Sequence, residues 1–363
     1  MDSNAAPPPR LGRRPVLDGM RGIAVLLVVL MHTGLLAHGY VGVDVFFGLS
    51  GFLITTLLYE EWEGTGTISF RRFYERRARR LLPALFLLVG AFTVLYLAVH
   101  PFIVWPLGHC LFTTLLFANN WVVGLGHEHD LGVLSPTWSL AQEEQFYLIW
   151  PLLLWLMLRW RLRPLAVLVL LALAIVALVE AVPHVEHALP AYSPYFSPLD
   201  RSAELLLGCA GAVMWRNGWV PRVLRWRLTA GVLVCAFVFV LVDPQLPLRW
   251  VYLGSAVIAV PLIVNLLSAG DGVIARVLAC APLRYIGRIS YALYLCNLMI
   301  QSLLMHYVPG RSQYFYAPIV IATSVLVAGA SWHFVESRVL GRRAPGALAE
   351  RLRLRPPRPQ HAR

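Results

Sequence analysis

The chain has 363 residues, of which 58% are hydrophobic, and it carries a formal net charge of +12. Because roughly half of the residues of an ordinary soluble domain are apolar, this composition excludes such a domain and predicts a chain solvated by lipid. All the basic residues are arginines and lie between the apolar segments, which favours a membrane surface over a nucleic acid as their partner. The five cysteines show neither CxxC nor metal-like spacing, so no metal site is predicted.

The apolar runs predict the fold class. A helix of about 20 residues crosses a bilayer core of about 30 Å, so these runs predict an all-α, polytopic membrane helix bundle with about ten transmembrane helices. The first run is too long and begins too late to be a cleavable signal peptide, and it is therefore a permanent span. The candidate spans are 16–36, 43–59, 81–99, 138–158, 164–182, 199–215, 228–242, 250–269, 285–306 and 316–336.

The arginines predict the orientation, because arginines near the ends of spans favour the cytoplasmic side. With the N-terminus inside, all but four of the 31 arginines lie in cytoplasmic segments. Arg21 lies within the first span, and Arg201, Arg249 and Arg311 lie on the other side. Both termini are therefore predicted to be cytoplasmic in a multi-pass protein of the cytoplasmic (cell inner) membrane.

One further apolar stretch, 101–123, would invert every later loop if it crossed the bilayer completely. Its Asn119 and Asn120, together with prolines near its start, fit a segment packed against protein rather than lipid. We therefore predict that 101–123 is re-entrant or interfacial.

The domain organisation follows from these spans. We expect one membrane domain with no internal repeat and no appended soluble domain. The C-terminal segment is basic, so we expect it to be disordered and drawn to anionic lipid on the cytoplasmic face. The predicted divisions are a cytoplasmic N-terminal segment (1–15), the membrane domain (16–337) and the basic tail (338–363).

The first span contains the candidate catalytic pair, Arg21 and His32. They are 11 positions apart, which at 100° per residue returns to within about 20° of the same helix face, about 16.5 Å further along the axis. A histidine is suited to take a proton from a hydroxyl near neutral pH. The alternative is a structural pair satisfied by backbone carbonyls and by a carboxylate such as Asp18, and the spacing leaves both interpretations open.

Two segments are candidates for binding a substrate that arrives from the arginine-rich side. Ser50, between Gly48 and Gly51, lies where a thin acyl chain can approach the backbone, although close helix packing is the more common use of small residues. Six arginines fall within 71–80, and their guanidinium groups bind phosphates well. The alternative is a patch that only sets the orientation and touches lipid headgroups. The arginines are Arg71, Arg72, Arg76, Arg77, Arg79 and Arg80.

At the opposite face, Glu143 and Glu144 lie near the start of the 138–158 run. Adjacent helical residues point about 100° apart, so at most one of them needs to face a neighbouring histidine, which it would orient and stabilise in its charged form. Capping of the helix N-terminus is the alternative. We interpret Asp200, Arg201 and Glu204 as an outer-face ion pair, and the acidic and histidine residues of 127–130 as solvated rather than metal-binding.

Taken in order, five blocks of the sequence resemble the acyltransferase-3 family of membrane O-acyltransferases, over nearly the whole chain. The blocks are Arg21 with His32, Asp44-Val45-Phe46-Phe47 with Ser50-Gly51-Phe52-Leu53, Arg77 and Arg80 before Leu81-Leu82-Pro83, Trp138-Ser139-Leu140 with Glu143-Glu144-Gln145-Phe146-Tyr147, and Ile286-Gly287-Arg288-Ile289-Ser290-Tyr291-Ala292-Leu293-Tyr294-Leu295.

The resemblance implies acyl transfer, often of acetyl from acetyl-CoA, to sugars of surface polysaccharides, lipopolysaccharide, peptidoglycan or macrolide antibiotics. It also implies that Arg21 and His32 are essential. The sequence departs from the family at Cys296-Asn297, where relatives commonly carry Trp-His, and an asparagine cannot act as a base. A single-domain form is similar to the members that modify exopolysaccharides and macrolides.

The hypothesis from the sequence is therefore an O-acyltransferase whose general base is His32, helped by Glu143 or Glu144. Arg21 and Ser50, with the loop arginines Arg76, Arg77 and Arg80, are expected to hold the donor, acyl-CoA, and the acceptor is expected to be a glycan or glycoside hydroxyl. Direct transfer and an acyl-histidine relay both stay open. The alternative function is a glycoconjugate transporter or flippase, which predicts an inverted repeat. A scaffold would leave the alignment of Arg21 with His32 unexplained.

Overall fold

The computed structural model describes residues 9–99, 107–188, 193–243 and 245–341, and within these ranges the chain is helical and contains no strand. The long helices are joined by short turns and 3-10 segments, and a π-helical turn at Trp332–Glu336 follows α14. The helices are α1 (Pro15–His32), α2 (Val41–Thr65), α3 (Phe70–Val99), α4 (Leu107–Leu115), α5 (Asn119–Gly124), α6 (Glu128–Leu131), α7 (Thr137–Arg159), α8 (Pro164–Ala188), α9 (Pro198–Arg216), α10 (Arg227–Val242), α11 (Leu248–Ser268), α12 (Val273–Leu278), α13 (Ala281–Tyr307), α14 (Gln313–Ser331) and α15 (Ser337–Gly341).

Seven helices of the described chain are long and apolar enough to cross a membrane, by length and composition. They are α1, α2, α3, α8, α11, α13 and α14 with its continuation to Gly341. The predicted all-α, multi-pass architecture is confirmed to the extent of these seven helices. The runs 138–158, 199–215 and 228–242 form α7, α9 and α10, but α7 and α9 carry several charged residues and α10 has only 16 residues. Ten spans and cytoplasmic termini stay predictions.

The two ends of the chain lie mostly outside the described residues. The structure does not describe residues 1–8 of the predicted N-terminal segment or residues 342–363 of the predicted tail. The first residues of the tail, 338–341, are described and belong to α15. The predicted domain divisions therefore stay predictions.

Two pairs of parallel helices form the centre of the bundle, and small residues bring their backbones together. A Cβ atom added at Gly287 of α13 would lie 1.7 Å from the carbonyl oxygen of Asp18 in α1. One added at Gly51 of α2 would lie 1.9 Å from the carbonyl oxygen of Leu205 in α9. Only glycine allows such approach, as at close helix contacts in membranes. The glycines around Ser50 therefore serve helix packing.

Hydrogen bonds join several arginine-bearing segments at one end of the bundle. Arg216, at the end of α9, bonds to Glu63 near the end of α2 and to the carbonyl oxygen of Pro9 before α1. The nearby Glu61 accepts a hydrogen bond of 3.2 Å from Arg76 in the first turns of α3. The start of α1, the end of α2, the start of α3 and the end of α9 thus share one end, here called the arginine-rich end.

The described chain between α3 and α7, residues 107–136, lies at the opposite end. Tyr74, near the start of α3, donates hydrogen bonds to the carbonyl oxygens of Tyr147 and Leu148 in α7, and Arg77, about one turn later, bonds to the earlier residue Glu144, so α3 and α7 are antiparallel neighbours. Residues 100–106 lie outside the described part. The described residues include the short helices α4, α5 and α6, none of them long enough to cross a bilayer.

Asn119 and Asn120 of this segment are buried against protein. The Asn119 amide donates to the hydroxyl groups of Thr114 (2.8 Å) and Thr137 (2.6 Å). The Asn120 carbonyl oxygen accepts a hydrogen bond of 2.9 Å from the Gln145 amide. These bonds anchor α5 on the start of α7, so this segment packs against protein, as its asparagines predicted.

A buried ion cluster joins α2 to α9. Arg201 bonds to Asp44 at 2.5 Å and to Glu204 at 2.6 Å, and all three side chains are fully buried. The expected ion pair between Arg201 and Glu204 is present, but it is buried rather than exposed at the outer face, and it includes Asp44 of α2. The rings of Tyr195 and Tyr252 lie 4.6 and 4.8 Å from the guanidinium carbon. Tyr195 lies outside the spanning helices, and burial raises its pKa, so its hydroxyl stays protonated.

We predict that Arg201→Met strongly destabilises the protein. Two carboxylates would remain buried without their cation, and removal of one partner of a buried ion pair costs about 3–5 kcal/mol. The melting temperature in detergent measures the effect. Arg222→Met removes an exposed arginine and serves as the control. Equal melting temperatures for the two variants would contradict a structural role of the cluster.

We predict that single cysteines at Gly64 and His129 react from opposite sides of the membrane, because α2 ends at the arginine-rich end and α6 lies at the other. Both positions are exposed. An impermeant maleimide applied to whole cells and to inverted vesicles, in a background without the native cysteines, measures the side. Labelling of both cysteines from one side would mean that 101–123 spans the membrane.

Candidate active site

A cavity of about 340 Å³ lies between α1, α2, α3, α7 and α13. Its mouth includes Leu11 and Gly12, just before α1, and it extends as far as Ser139 and Tyr294 in the opposite half of the bundle. The cavity therefore leads from the arginine-rich end into the interior. Leucine and phenylalanine side chains line much of its wall. The charged and polar lining side chains include Arg21, Ser50, Arg77, Arg80, Glu143 and Tyr147.

Three guanidinium groups belong to this cavity. Arg77 bonds to Glu144 at 2.7 Å, and its guanidinium carbon lies 3.5 Å from the centre of the Tyr147 ring, so its position is fixed on two sides. Arg80, one turn further along α3, and Arg21 of α1 also line the cavity. With Glu143 as the other charged lining residue and Glu144 paired, the net charge is positive. Such a site favours an anion, and guanidinium groups match phosphate geometry.

The other predicted donor residues separate into two groups. Ser50 lines the cavity and donates a hydrogen bond of 2.9 Å to Glu143. Arg76 is 59% exposed, pairs with Glu61 and does not line the cavity. Arg76 and Arg77 are adjacent in a helix and point about 100° apart, so only one of them can face the interior. The structure therefore does not bring Arg76 to the candidate site.

The two predicted carboxylates do not contact His32. Glu143 accepts hydrogen bonds from Ser50 and, at 3.1 Å, from the Tyr147 hydroxyl, whereas Glu144 is paired with Arg77. Neither caps α7, because the helix begins at Thr137. Glu143 therefore lies in the cavity wall, and Glu144 contacts α3. A different residue contacts the ring of His32.

Arg21 and His32 both meet α13, which runs parallel to α1. Arg21 donates to the Ser290 hydroxyl at 3.2 Å, and His32 Nδ1 lies 2.5 Å from the Asn297 Oδ1 atom. The shared face predicted from the spacing of the pair is the face that packs on α13. The amide of Gln301, one turn beyond Asn297, donates to the backbone carbonyl of His32 at 2.5 Å.

His32 lies beyond the far end of the cavity and is not part of its lining. That end is formed by Tyr294 and Ser139, whose hydroxyl oxygens are 2.7 Å apart, and Tyr294 also donates to the carbonyl oxygen of Pro136 at 2.8 Å. Asn297 lies one turn further along α13 and donates to the Tyr294 carbonyl oxygen at 2.6 Å. One hydrogen-bonded layer therefore separates the arginine cavity from His32.

The sequence analysis assigned no role in the site to four polar residues that contribute to it: Tyr147, Ser290, Tyr294 and Asn297. Three of them lie on α13 at positions 290, 294 and 297, and this spacing of four and three residues marks a single helix face. This periodicity is enough to place the three residues on one face of α13 from the sequence. It does not show which helix that face contacts. Tyr147 follows Glu143 by four residues and therefore shares its face.

In the described part of the chain, no three His, Cys, Asp or Glu side chains cluster as a metal site would require. The 127–130 loop contains the ion pair between His127 Nδ1 and the Asp130 carboxylate, at 2.8 Å.

Comparison with known proteins assigns the family. A family model described as an acyltransferase domain, that of acyltransferase 3, matches residues 14–333. The chain belongs to the acyltransferase-3 family. The matched region includes the arginine pair of α3, both partners of the His32 contact and all the residues that line the cavity except Leu11 and Gly12. The resemblance predicted from the five sequence blocks is therefore confirmed.

Two of the proteins that are similar to this chain have names that state an activity. The peptidoglycan O-acetyltransferase OatA of Listeria monocytogenes is 30% identical over 349 residues, which are 90% of this chain and 55% of the relative. The O-acetyltransferase OatA of Staphylococcus aureus is 29% identical over 349 residues, 90% of this chain and 57% of the relative. The chain thus spans little more than half the length of these relatives. No solved structure matches it. The family and these names support the predicted enzyme class, an O-acyltransferase.

Proposed function

We propose that this protein is a multi-pass membrane O-acyltransferase that moves an acyl group, in the first instance acetyl, from acyl-CoA to a hydroxyl of a glycan or glycoside. The observation that carries the proposal is the alignment along α1 and α13 of an arginine-lined cavity with a histidine whose ring has a fixed partner. A cavity for an anionic donor and a proton acceptor beyond it are the two elements that such a transfer requires. The names of the relatives support acetyl as the acyl group and a polysaccharide as the acceptor.

The donor assignment is supported by the charge and shape of the cavity. Acyl-CoA carries several phosphates at one end and a long, thin arm ending in a thioester at the other. Guanidinium groups of Arg21, Arg77 and Arg80 would bind phosphate oxygens, and the mostly apolar wall would accept the arm. The separation of Arg21 from His32 along α1, about 16.5 Å for 11 residues, sets the reach that the arm needs.

The chemistry follows from ordinary acyl transfer. His32 takes the proton of the acceptor hydroxyl, whose oxygen forms a bond to the thioester carbonyl carbon. The tetrahedral intermediate then collapses, the carbon–sulfur bond breaks, and the leaving thiolate takes the proton back from His32. A two-step relay through an acyl-histidine uses the same residues.

Incubation of the purified protein with labelled acetyl-CoA and candidate acceptors tests the proposal. Peptidoglycan fragments, exopolysaccharide oligomers and a macrolide glycoside are offered separately, and mass spectrometry locates the acetyl group. A single O-acetylated sugar is the expected product. Acetyl-CoA hydrolysis without transfer to any hydroxyl compound would contradict an acceptor of this class. Label that stays on the protein when acceptor is omitted would identify the relay.

We predict that His32→Ala and His32→Gln lower kcat by about 10²- to 10⁴-fold, the usual contribution of a general base. The melting temperature should stay near that of the wild type, because His32 is only partly buried and lies at the end of α1. His129→Gln, at an exposed position of the short helix α6, is the control. Normal turnover in either His32 variant would rule out the general-base role.

We predict that Arg77→Gln and Arg80→Gln raise the KM for the donor more than the KM for the acceptor, because both arginines line the cavity near its arginine-rich mouth. Arg76→Gln is the matched control, since it removes the same charge from the same helix turn on the side that faces away. Steady-state kinetics with each substrate varied in turn measures the effect. A larger rise in the acceptor KM would refute the assignment of the cavity to the donor.

A further inference from the structure

His32 and Asn297 form a contact in which one atom must donate a hydrogen. His32 Nδ1 and the Asn297 Oδ1 atom are 2.5 Å apart. Two acceptors repel each other at this distance, so one of the two atoms must carry a proton. An amide oxygen is an acceptor only, whereas an imidazole nitrogen is either a donor or an acceptor, depending on the tautomer. The tautomer of His32 therefore depends on which end of the Asn297 amide faces it.

Two backbone carbonyls settle the orientation of that amide. The Asn297 Nδ2 atom donates to the carbonyl oxygens of Leu293 (3.0 Å) and Tyr294 (2.6 Å), one hydrogen for each. Turning the amide over would place its oxygen against two carbonyl oxygens and leave His32 Nδ1 as the single acceptor for its two hydrogens. The hydrogen-bond network is the proper basis for assigning an amide orientation. Because Asn297 is fully buried, water cannot replace these partners.

The backbone of His32 is held by the same helix. The Gln301 amide donates to the His32 carbonyl oxygen, and Asn297 and Gln301 are four residues apart on one face of α13. One helix therefore fixes both the backbone and the ring. Among the residues that the structure describes, none is hydrogen-bonded to His32 Nε2.

We propose that Asn297 is a positioning residue that holds neutral His32 with its proton on Nδ1, so that Nε2 is the atom that takes the proton from the acceptor. This inference rests on the proposed role of His32 as the base. During transfer the acceptor proton moves to Nε2 as the oxygen–carbon bond forms, and it leaves from Nε2 to the departing thiolate. The Nδ1 proton stays on the ring throughout, hydrogen-bonded to the Asn297 oxygen. Because the amide is neutral, it orients the ring without stabilising imidazolium as a carboxylate would.

Two substitutions of Asn297 separate positioning from packing. Asn297→Leu and Asn297→Asp have similar size, and both lose the bonds to the Leu293 and Tyr294 carbonyls, but only aspartate retains an acceptor for Nδ1–H. Loss of a residue that orients a ligand or base typically costs about 10- to 100-fold in activity. We expect such a fall in kcat for the leucine variant with little change in either KM. The aspartate variant should approach wild-type kcat at alkaline pH, because its carboxylate stabilises the charged imidazole and shifts the active range upward.

Asn297→His, which supplies a ring nitrogen as acceptor, is measured beside these variants in case aspartate prevents folding. Melting temperatures in detergent report structural damage. Equal losses of kcat in the leucine, aspartate and histidine variants would overturn the proposal, since a structural role does not depend on an acceptor for Nδ1–H.

The tautomer itself is read by ¹⁵N NMR of histidine-labelled protein in lipid. The chain has 11 histidines, so the signals of His32 are assigned by their loss in His32→Gln. We expect a protonated Nδ1 and an unprotonated Nε2 in the wild type, and a changed tautomer ratio in Asn297→Leu. A wild-type spectrum with the proton on Nε2 would overturn the inference whatever the turnover. Normal turnover of His32→Gln would instead overturn the proposed function and leave the assignment of the tautomer standing.

Discussion

Polar groups inside a bilayer have no water to bind, so each needs a partner within the protein. In this chain the partner usually lies on another helix: Ser290 for Arg21, Asn297 for His32, Glu144 for Arg77 and Asp44 for Arg201. The contacts that satisfy the functional groups are thus the contacts that hold the bundle together.

The parallel pairs α1 with α13 and α2 with α9 provide the rigid frame for these contacts. Glycines let the paired backbones approach closely, and little freedom to slide remains once Gly287 and Gly51 are seated. The register of α1 on α13 then sets which residues meet at Arg21 and at His32. Preorganised groups of this kind need no rearrangement at the moment of reaction.

The sequence was sufficient for properties that depend on one helix at a time. The spacing of Arg21 and His32 predicted a shared face because helix geometry is fixed, and the arginines predicted which loops lie together. The partners were beyond reach, because Asn297 lies 265 residues from His32 and no local pattern selects the facing helix. The position of Arg76 could not be settled by spacing alone. Arg76 is three residues after the buried Phe73 and four before Arg80, so the helical period does not separate it from the arginines that line the cavity.

The layer formed by Tyr294, Ser139 and Pro136 has a consequence for the cell as well as for the reaction. A polar cavity that ran the full depth of the bundle would offer ions a path down the membrane potential, which is worth about 2.3 kcal/mol per elementary charge for each 100 mV. The hydroxyl pair and the buried Asn297 interrupt that path with groups whose hydrogen bonds are already used. A bundle that a polar cavity enters from one end can in this way remain electrically tight.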